Sequence, residues 1–152
     1  MTTPYRHSVS VVGIVVREDG RVLVIRRKDN GAYQAPGGIL EHEERIEDGV
    51  AREVLEETGY QVRVLSLTGI YKNVKGGHVT LAFRCALVGG QAMLNDEATE
   101  VGWFTLDEVA AQLAEPYAVR VTDALSGNWP GVRHHDGVRL LDGVSARESD
   151  EQ

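Results

Sequence analysis

The stretch GILEHEERIEDGVAREVLEETGY, residues Gly38–Tyr60, combines one helical segment with a concentration of acidic side chains. From Arg45 to Thr58 the apolar residues recur at helical spacing, which predicts an amphipathic helix. Gly59 follows at the position where a left-handed residue commonly ends a helix. The apolar stripe expected to face the core consists of Val50, Ala51, Val54 and Leu55.

Three glutamates, Glu53, Glu56 and Glu57, fall within about one turn of this predicted helix. Residues three and four positions apart are neighbours on a helix surface, so their carboxylates repel one another by roughly 0.3 kcal/mol per pair. A divalent cation would convert this repulsion into coordination. Oxygen ligands favour Mg²⁺ or Mn²⁺ over zinc, and magnesium usually shares itself with substrate phosphates, so the pattern indicates phosphate chemistry.

The spacing of the polar and glycine residues in Gly38–Tyr60 resembles the Nudix box, the signature of the Nudix hydrolase family. Three positions depart from the usual pattern: Tyr60 replaces an aliphatic residue, Glu43 stands where many members have glycine, and Val50 stands where alanine is frequent. These departures concern packing and loop geometry rather than the acidic set. The matching residues are Gly38, Glu44, Arg52, Glu53, Glu56, Glu57 and Gly59.

The resemblance implies roles for the charged residues of the box. Glu53, Glu56 and Glu57 are expected to bind metal, with Glu56 and Glu57 nearest the catalytic ions. Arg52 matches the arginine that orients a catalytic glutamate in the family, and the i+4 spacing lets it reach Glu56. Glu44 is expected to act as an accessory ligand or as a support for the loop.

The resemblance also implies contributions from the backbone and from a later loop. Gly37 and Gly38 would let the backbone pass closely under the helix, and Gly38 would offer a carbonyl oxygen to the metal. Family members often take a further acid from a later loop, where this chain offers Glu97 and Glu100. We prefer Glu97 as metal ligand and general base.

The general base has a second candidate, and three residues are candidates for contacting the substrate. Glu57 is the competing general base. Arg26, Arg27 and Tyr33 are candidates for binding substrate, the arginines through phosphates and the tyrosine by stacking on a base. Simple exposure of the arginines and packing of the tyrosine are the competing interpretations.

The reaction implied by the resemblance is hydrolysis of a phosphoanhydride bond in a nucleoside diphosphate linked to another moiety, by attack of metal-activated water on phosphorus. Mg²⁺ is the expected cofactor, with Mn²⁺ as a substitute. Nucleoside triphosphates, ADP-ribose, nucleotide sugars and dinucleoside polyphosphates are all cleaved by proteins with this box, so it does not choose among them. The alternative is a non-catalytic Nudix-fold sensor or regulator that binds a nucleotide, which would be expected to lose box acids.

The pattern outside the box predicts an α/β chain. It is similar to the Nudix fold, a mixed β-sheet sandwiched between α-helices. We expect one domain over residues 1–141 and a disordered polar tail over 142–152. Predicted strands are Val9–Val16, Val22–Arg27, Gln61–Tyr71, His78–Val88 and Val101–Leu106, and further predicted helices are Leu106–Glu115, capped by Asp107, and Tyr117–Leu125, opened by Pro116.

Composition limits the class of protein. The 152 residues are 42% hydrophobic, enough for one domain with a substantial core, and the net charge of −7 argues against stable nucleic-acid binding. The single cysteine, Cys85, excludes an internal disulfide and fits a reducing compartment. The apolar runs are too short to span a membrane as a helix, so we expect a cytoplasmic protein. The resemblance to the Nudix family implies a small nucleotide as its partner. Exposed strand edges are compatible with a homodimer.

Histidine and cysteine patterns give weaker signals. The sequence His134-His135-Asp136 suggests a second metal site, but adjacent residues on an extended chain point to opposite sides, so we predict a surface turn. Cys85 lies in a predicted strand with apolar neighbours and is expected to be a core residue.

Overall fold

The computed structural model describes residues 5–142, and this part of the chain contains eight strands and three helices. The helices are α1 (Ile46–Thr58), α2 (Leu106–Gln112) and α3 (Glu115–Ser126). The strands are β1 (Ser8–Val16), β2 (Val22–Arg27), β3 (Tyr33–Gln34), β4 (Gly37–Ile39), β5 (Tyr60–Asn73), β6 (His78–Gly90), β7 (Ala98–Phe104) and β8 (Gly131–His135).

The strands form one mixed sheet in the order β3-β2-β1-β6-β5-β8, with β4 also paired to β1 and β7 to β2. The pairs β1–β6 and β5–β8 are parallel. The remaining pairs are antiparallel. The predicted mixed sheet is therefore confirmed.

Helices cover both faces of this sheet. Alternate residues of its central strands point to opposite sides, so each face presents apolar side chains that a helix can cover. On one face, Val12 and Ile14 of β1 belong to the core that contains residues of α2 and α3. On the other face, Val11 and Val15 belong to the core that contains Val50 and Val54 of α1, and Cys85 is buried there as expected. The predicted sandwich of a sheet between helices is confirmed.

Local sequence explains the first hairpin and the ends of α1. Gly20 has φ +85° in the turn between β1 and β2, a conformation that glycine adopts without steric cost. Gly59 ends α1 in the left-handed region with φ +83°, as predicted. At Gly13 the missing side chain lets α1 approach the sheet, because a Cβ there would lie 2.7 Å from Cγ2 of Val54.

Four elements differ from the sequence expectations. Thr105, rather than Asp107, caps α2, in a reciprocal capping box with Glu108. The short strands β3 and β4 were not predicted. The surface turn expected at His134–Asp136 is wrong, because His134 and His135 end strand β8.

Long-range pairing explains the missed strand. Strand β8 pairs in parallel with β5, far away in the sequence, and no local pattern reports that contact.

Residues of the predicted tail beyond 142 lie outside the described residues, while Asp142 accepts hydrogen bonds from the backbone and the ring of His134. None of the helices within residues 5–142 has the length and apolar character needed to cross a membrane.

Candidate active site

Helix α1 carries the box glutamates on two different sides. Glu53 and Glu57 lie on its buried side, with 8% and 5% of their surface exposed. Glu56 lies on the outer side, where its side chain is 58% exposed. The i, i+4 spacing of Glu53 and Glu57 aligns both buried carboxylates along the helix side that packs near β4.

Glu57 is held by the backbone of β4. Its Oε1 accepts a hydrogen bond of 2.6 Å from the N–H of Gly37. Burial is the main reason that the pKa of Glu57 is raised to about 7, and the charges of Glu53 and Glu97 raise it further. The Gly37 hydrogen bond lowers this pKa, and the charge of Arg27 lowers it by the smallest amount. A nearby divalent cation would relieve the cost of ionising this buried carboxyl.

Arg52 organises the other box acids. Its Nε and Nη2 donate to the two oxygens of Glu44 at 2.9 and 2.7 Å, and its Nη1 donates to Glu53 at 2.8 Å. The expected i+4 contact with Glu56 is present at 3.2 Å. The Arg52 guanidinium lowers the pKa of Glu44 to about 2, whereas burial raises the pKa of Glu53 despite its bond to Arg52.

Glu44 supports the loop before α1. Besides forming the two-bond pair with Arg52, it accepts a hydrogen bond of 2.9 Å from the N–H of Glu41. Both of its oxygens therefore have protein partners in the described structure. This arrangement favours the loop-support role over the ligand role.

Gly37 and Gly38 bring the backbone of β4 against its neighbours. A Cβ on Gly37 would lie 2.3 Å from the carbonyl oxygen of Val11. A Cβ on Gly38 would lie 2.5 Å from Oε2 of Glu53. The expected close passage under the helix is confirmed, and only glycine leaves room for the Glu53 carboxylate at this point.

Glu97 is carried by a loop fixed to the end of α1. Asn95 donates a 2.6 Å hydrogen bond from Nδ2 to the carbonyl oxygen of Glu57. Its Oδ1 accepts from the N–H groups of Glu97 and Ala98 at 2.9 and 3.1 Å. The Glu97 side chain is exposed and borders the same cavity as Glu57.

A cavity of about 800 Å³ runs from the acidic set across the sheet to α3. Arg27, Gly38, Glu57 and Glu97 border it at one end. A shallower depression adjoins it, and Gly38 and Glu97 border both. Three further residues of the acidic set line that depression: Arg52, Glu53 and Glu56.

Two of the predicted substrate-binding residues lie elsewhere. Tyr33 donates a 2.9 Å hydrogen bond to Glu100, and Arg26 pairs with the same carboxylate at 3.4 Å. Neither Arg26 nor Tyr33 is among the residues that line the cavity, whereas Arg27 is. Glu100, which both residues contact, lines neither the cavity nor the depression beside it, whereas Glu97 lines both, which favours Glu97 of the two loop acids.

The oxygen donors at this end of the cavity fit a hard divalent cation. Glu53 and Glu97 raise the pKa of Glu57, and Glu56 and Glu97 raise that of Glu53, so these four carboxylates already feel one another's charge. Among residues 5–142, however, no three acidic or histidine side chains are grouped closely enough to hold a metal ion without rearrangement. The side chains of Glu56 and Glu97 are exposed, so they are free to make the rearrangement that metal binding requires.

Sequence reasoning missed the residues at the other end of the cavity. Tyr117 and Arg120 reach it from α3, and His135 reaches it from β8. Helical periodicity gave one available signal, since Arg120 falls on the buried side of α3 beside Val121 and Ala124. The neighbouring His135 could be assigned only after β8 was known.

Comparisons with known proteins extend over most of the chain. A profile of the NUDIX domain matches residues 6–125. The chain is 56% identical over 140 residues to a MutT-like protein of Streptomyces ambofaciens, covering 92% of this chain and 91% of that protein. It is 33% identical over 112 residues to an ADP-ribose pyrophosphatase of Methanocaldococcus jannaschii, covering 69% of this chain and 66% of that protein.

Solved structures give the same family of folds. A NUDIX hydrolase from Nitrosomonas europaea matches with a TM-score of 0.72 at 25% identity, covering 90% of this chain and 95% of that one. An ADP-ribose pyrophosphatase from Streptococcus suis also has a TM-score of 0.72, at 24% identity, covering 86% of this chain and 100% of that one, and supports the fold alone.

Proposed function

Because this chain belongs to the Nudix hydrolase family, we propose that it hydrolyses a phosphoanhydride bond of a nucleoside diphosphate linked to another moiety, with Mg²⁺ bound by the box acids. Mn²⁺ is the expected substitute. The observation that carries the proposal is the position of Glu57 and Glu97 at one end of a cavity large enough for a nucleotide, with Glu53 in the depression that adjoins it. The complete set of acids argues against the alternative, a nucleotide sensor without catalysis.

The residues that would hold the ion are Glu53, Glu56, Glu57 and Glu97, with the carbonyl oxygen of Gly38. When bound, Mg²⁺ neutralises a diphosphate and lowers the pKa of a coordinated water. Arg52 positions Glu53 and Glu56 through its hydrogen bonds and is not expected to touch the substrate.

Proton transfer is assigned to the exposed carboxylate of the later loop. Glu97 accepts the proton of the attacking water while a new oxygen–phosphorus bond forms and the bridging oxygen–phosphorus bond breaks. The leaving phosphate takes the electron pair of the broken bond. Glu57 is the competing base because it lines the same cavity. Arg27 lines the cavity wall in a two-bond pair with Asp29, and its remaining donor, Nη1, is suited to bind a substrate phosphate.

The test is product release from nucleoside triphosphates, ADP-ribose, nucleotide sugars and dinucleoside polyphosphates, with Mg²⁺, with Mn²⁺ and with chelator. We expect metal-dependent turnover that falls at least about 100-fold in Glu57→Gln and in Glu97→Gln. Glu47→Gln is the matched control, since Glu47 lies exposed in the first turn of the same helix. Binding of a nucleotide without cleavage of any compound would favour the sensor.

The proposal extends to the setting in which the protein works. A small nucleotide is the expected partner, and the cytoplasm is the expected compartment, which the single cysteine supports. Burial raises the pKa of Cys85 to about 12, so this thiol is not expected to act as a nucleophile.

A further inference from the structure

Arg120 is a buried cation without an anionic partner in the part of the chain that the structure describes. Its residue surface is only 8% exposed. Within residues 5–142 its Nε has no hydrogen-bond partner, and no carboxylate lies within ion-pair distance of the guanidinium. Burial of an uncompensated charge is strongly destabilising, as is the breaking of a buried ion pair. A position of this kind calls for a ligand that supplies the missing charge.

The nearest acidic residue on the same helix is already committed. Asp123 accepts two hydrogen bonds from Arg133, at 2.7 and 2.8 Å, and a third of 2.8 Å from the hydroxyl of Tyr71. Its oxygens are therefore satisfied by Arg133 and Tyr71. Arg120 is left with the faces of two aromatic rings, those of Tyr71 and Tyr117, at 5.4 and 4.8 Å from Cζ to the ring centres.

These rings hold the guanidinium in place at the cavity wall. Cation–π contacts stabilise a cation without using its N–H groups, so the donors of Arg120 stay available to a ligand. Arg120 and Tyr117 both line the cavity that also reaches Glu57. A preorganised guanidinium binds phosphate well because two of its N–H groups match two phosphate oxygens.

His135 adds a second donor beside Arg120. It is 2% exposed, lines the same cavity, and lies with its ring centre 6.3 Å from that of Tyr117. Its Nδ1 accepts a 3.0 Å hydrogen bond from the N–H of Gly137. In the neutral ring the proton is therefore assigned to Nε2, which becomes a donor.

This group of donors is distinct from the acidic end of the cavity. The acidic end is built on α1 and β4, whereas Arg120 lies on α3 and His135 on β8. Thr80 of β6 and Asn73 of β5 also line the cavity, and these two strands lie between β1 and β8 in the sheet. A ligand that touches both ends must carry anionic groups some distance apart.

We propose that Arg120 and His135 form a second anion subsite, which binds a phosphate monoester of the substrate separate from the diphosphate at the acidic set. The inference rests on the proposed function and narrows its substrate class. The preferred compounds are nucleoside diphosphate-linked molecules that carry an additional phosphate away from the bond that is cleaved.

The test uses two pairs of ligands, and the members of each pair differ by one remote phosphate. The first pair is ADP-ribose and ADP-ribose 2′-phosphate, and the second is dephospho-coenzyme A and coenzyme A. Affinities are measured by calorimetry in chelator, so that no turnover occurs. We expect the wild type to bind the phosphorylated member at least about tenfold more tightly in one of the pairs. Arg120→Met should abolish this preference, and Arg120→Lys should retain part of it.

Arg63→Met is the matched control, because Arg63 is exposed on β5 and does not line the cavity. It should keep the preference of the wild type. Unliganded Arg120→Met should melt no lower than the wild type, because it loses an unpaired buried charge. The proposal is overturned if the wild type shows no preference in either pair, or if Arg120→Met keeps it.

The two proposals fail in different ways. Metal-dependent turnover without any preference for the added phosphate would remove the second subsite and leave the hydrolase. A preference that depends on Arg120, without turnover of any compound, would remove the hydrolase and leave the subsite. If Arg120→Met changes the preference between adenine and guanine nucleotides instead, Arg120 reads the base and the phosphate subsite is wrong.

Discussion

At the scale of single residues, Glu43 shows what a departure from the box pattern costs. It stands where many family members have glycine, and in this structure its φ is +66°. A residue with a Cβ is strained in the left-handed region by about 1–2 kcal/mol, whereas glycine is not. The family pattern thus reflects a backbone requirement of the loop before α1.

Glu43→Gly is expected to stabilise the fold. Relief of the strain outweighs the greater freedom that glycine gives the unfolded chain, for a net gain of about 0.5 kcal/mol in the free energy of unfolding. Urea denaturation measures it. His42→Gly is the control, since His42 has no positive φ and should lose stability instead. Equal losses in both variants would contradict the prediction.

His135 makes stability depend on pH. Burial, followed by the positive charge of Arg120, lowers its pKa below the ordinary 6.5, while Asp136 acts in the opposite direction. The neutral ring is favoured in the folded state, so its contribution to stability is complete above about pH 6.5 and is lost as the pH falls through the lowered pKa. The ring of Tyr117 packs against that of His135 at an interplanar angle of 61°.

Thermal melts between pH 8 and pH 5 test this assignment. We expect His135→Asn to lose less stability on acidification than the wild type, since Asn keeps an acceptor near the position of Nδ1 and cannot be protonated. His42→Asn, on the exposed loop before α1, should follow the wild type. A wild-type pH profile in His135→Asn would show that other groups control the acid sensitivity.

At the scale of elements, Arg52 joins the loop that contains Glu44 to the acidic side of α1. It does so by a two-bond pair with Glu44 and single bonds to Glu53 and Glu56. The fork of donors is particular to arginine, because lysine is a point charge on a flexible stem. The order of the carboxylates therefore depends on contacts between two elements.

Arg52→Lys should keep the charge and lose this geometry. We expect about a 10- to 100-fold fall in apparent metal affinity or in activity, as for other groups that orient metal ligands. The measurement is a Mg²⁺ titration of kcat, separated from KM for the nucleotide. Arg63→Lys is the control on an exposed strand position. An unchanged Mg²⁺ dependence in Arg52→Lys would reduce Arg52 to a structural role.

At the scale of the whole molecule, the homodimer stays a prediction. Strand β8 lies at one end of the sheet, and residues 139–142 bond back to it through Leu141 N–H and the His134 carbonyl at 2.9 Å. Strand β3, with two residues, lies at the other end. Sedimentation equilibrium at micromolar concentration decides: a dimer gives twice the chain mass of 16.6 kDa, and a single-chain mass removes the prediction.

The sequence by itself determined what depends on neighbours along the chain. The periodicity of Val50 and Val54, the left-handed stop at Gly59 and the turn at Gly20 are local features, and each appears in the structure. The spacing of the box acids likewise determined the directions in which their carboxylates leave α1, because the helix repeat converts sequence spacing into direction.

Only the tertiary structure decided how deeply those acids are buried and what lies across the cavity from them. Burial of Glu57 depends on β4, and the place of Arg120 depends on the packing of α3 against the sheet. His135 reaches the cavity because β8 pairs with β5. Such contacts join segments far apart in the sequence, and no periodicity records them, since their free energy arises from burial and pairing in the assembled fold.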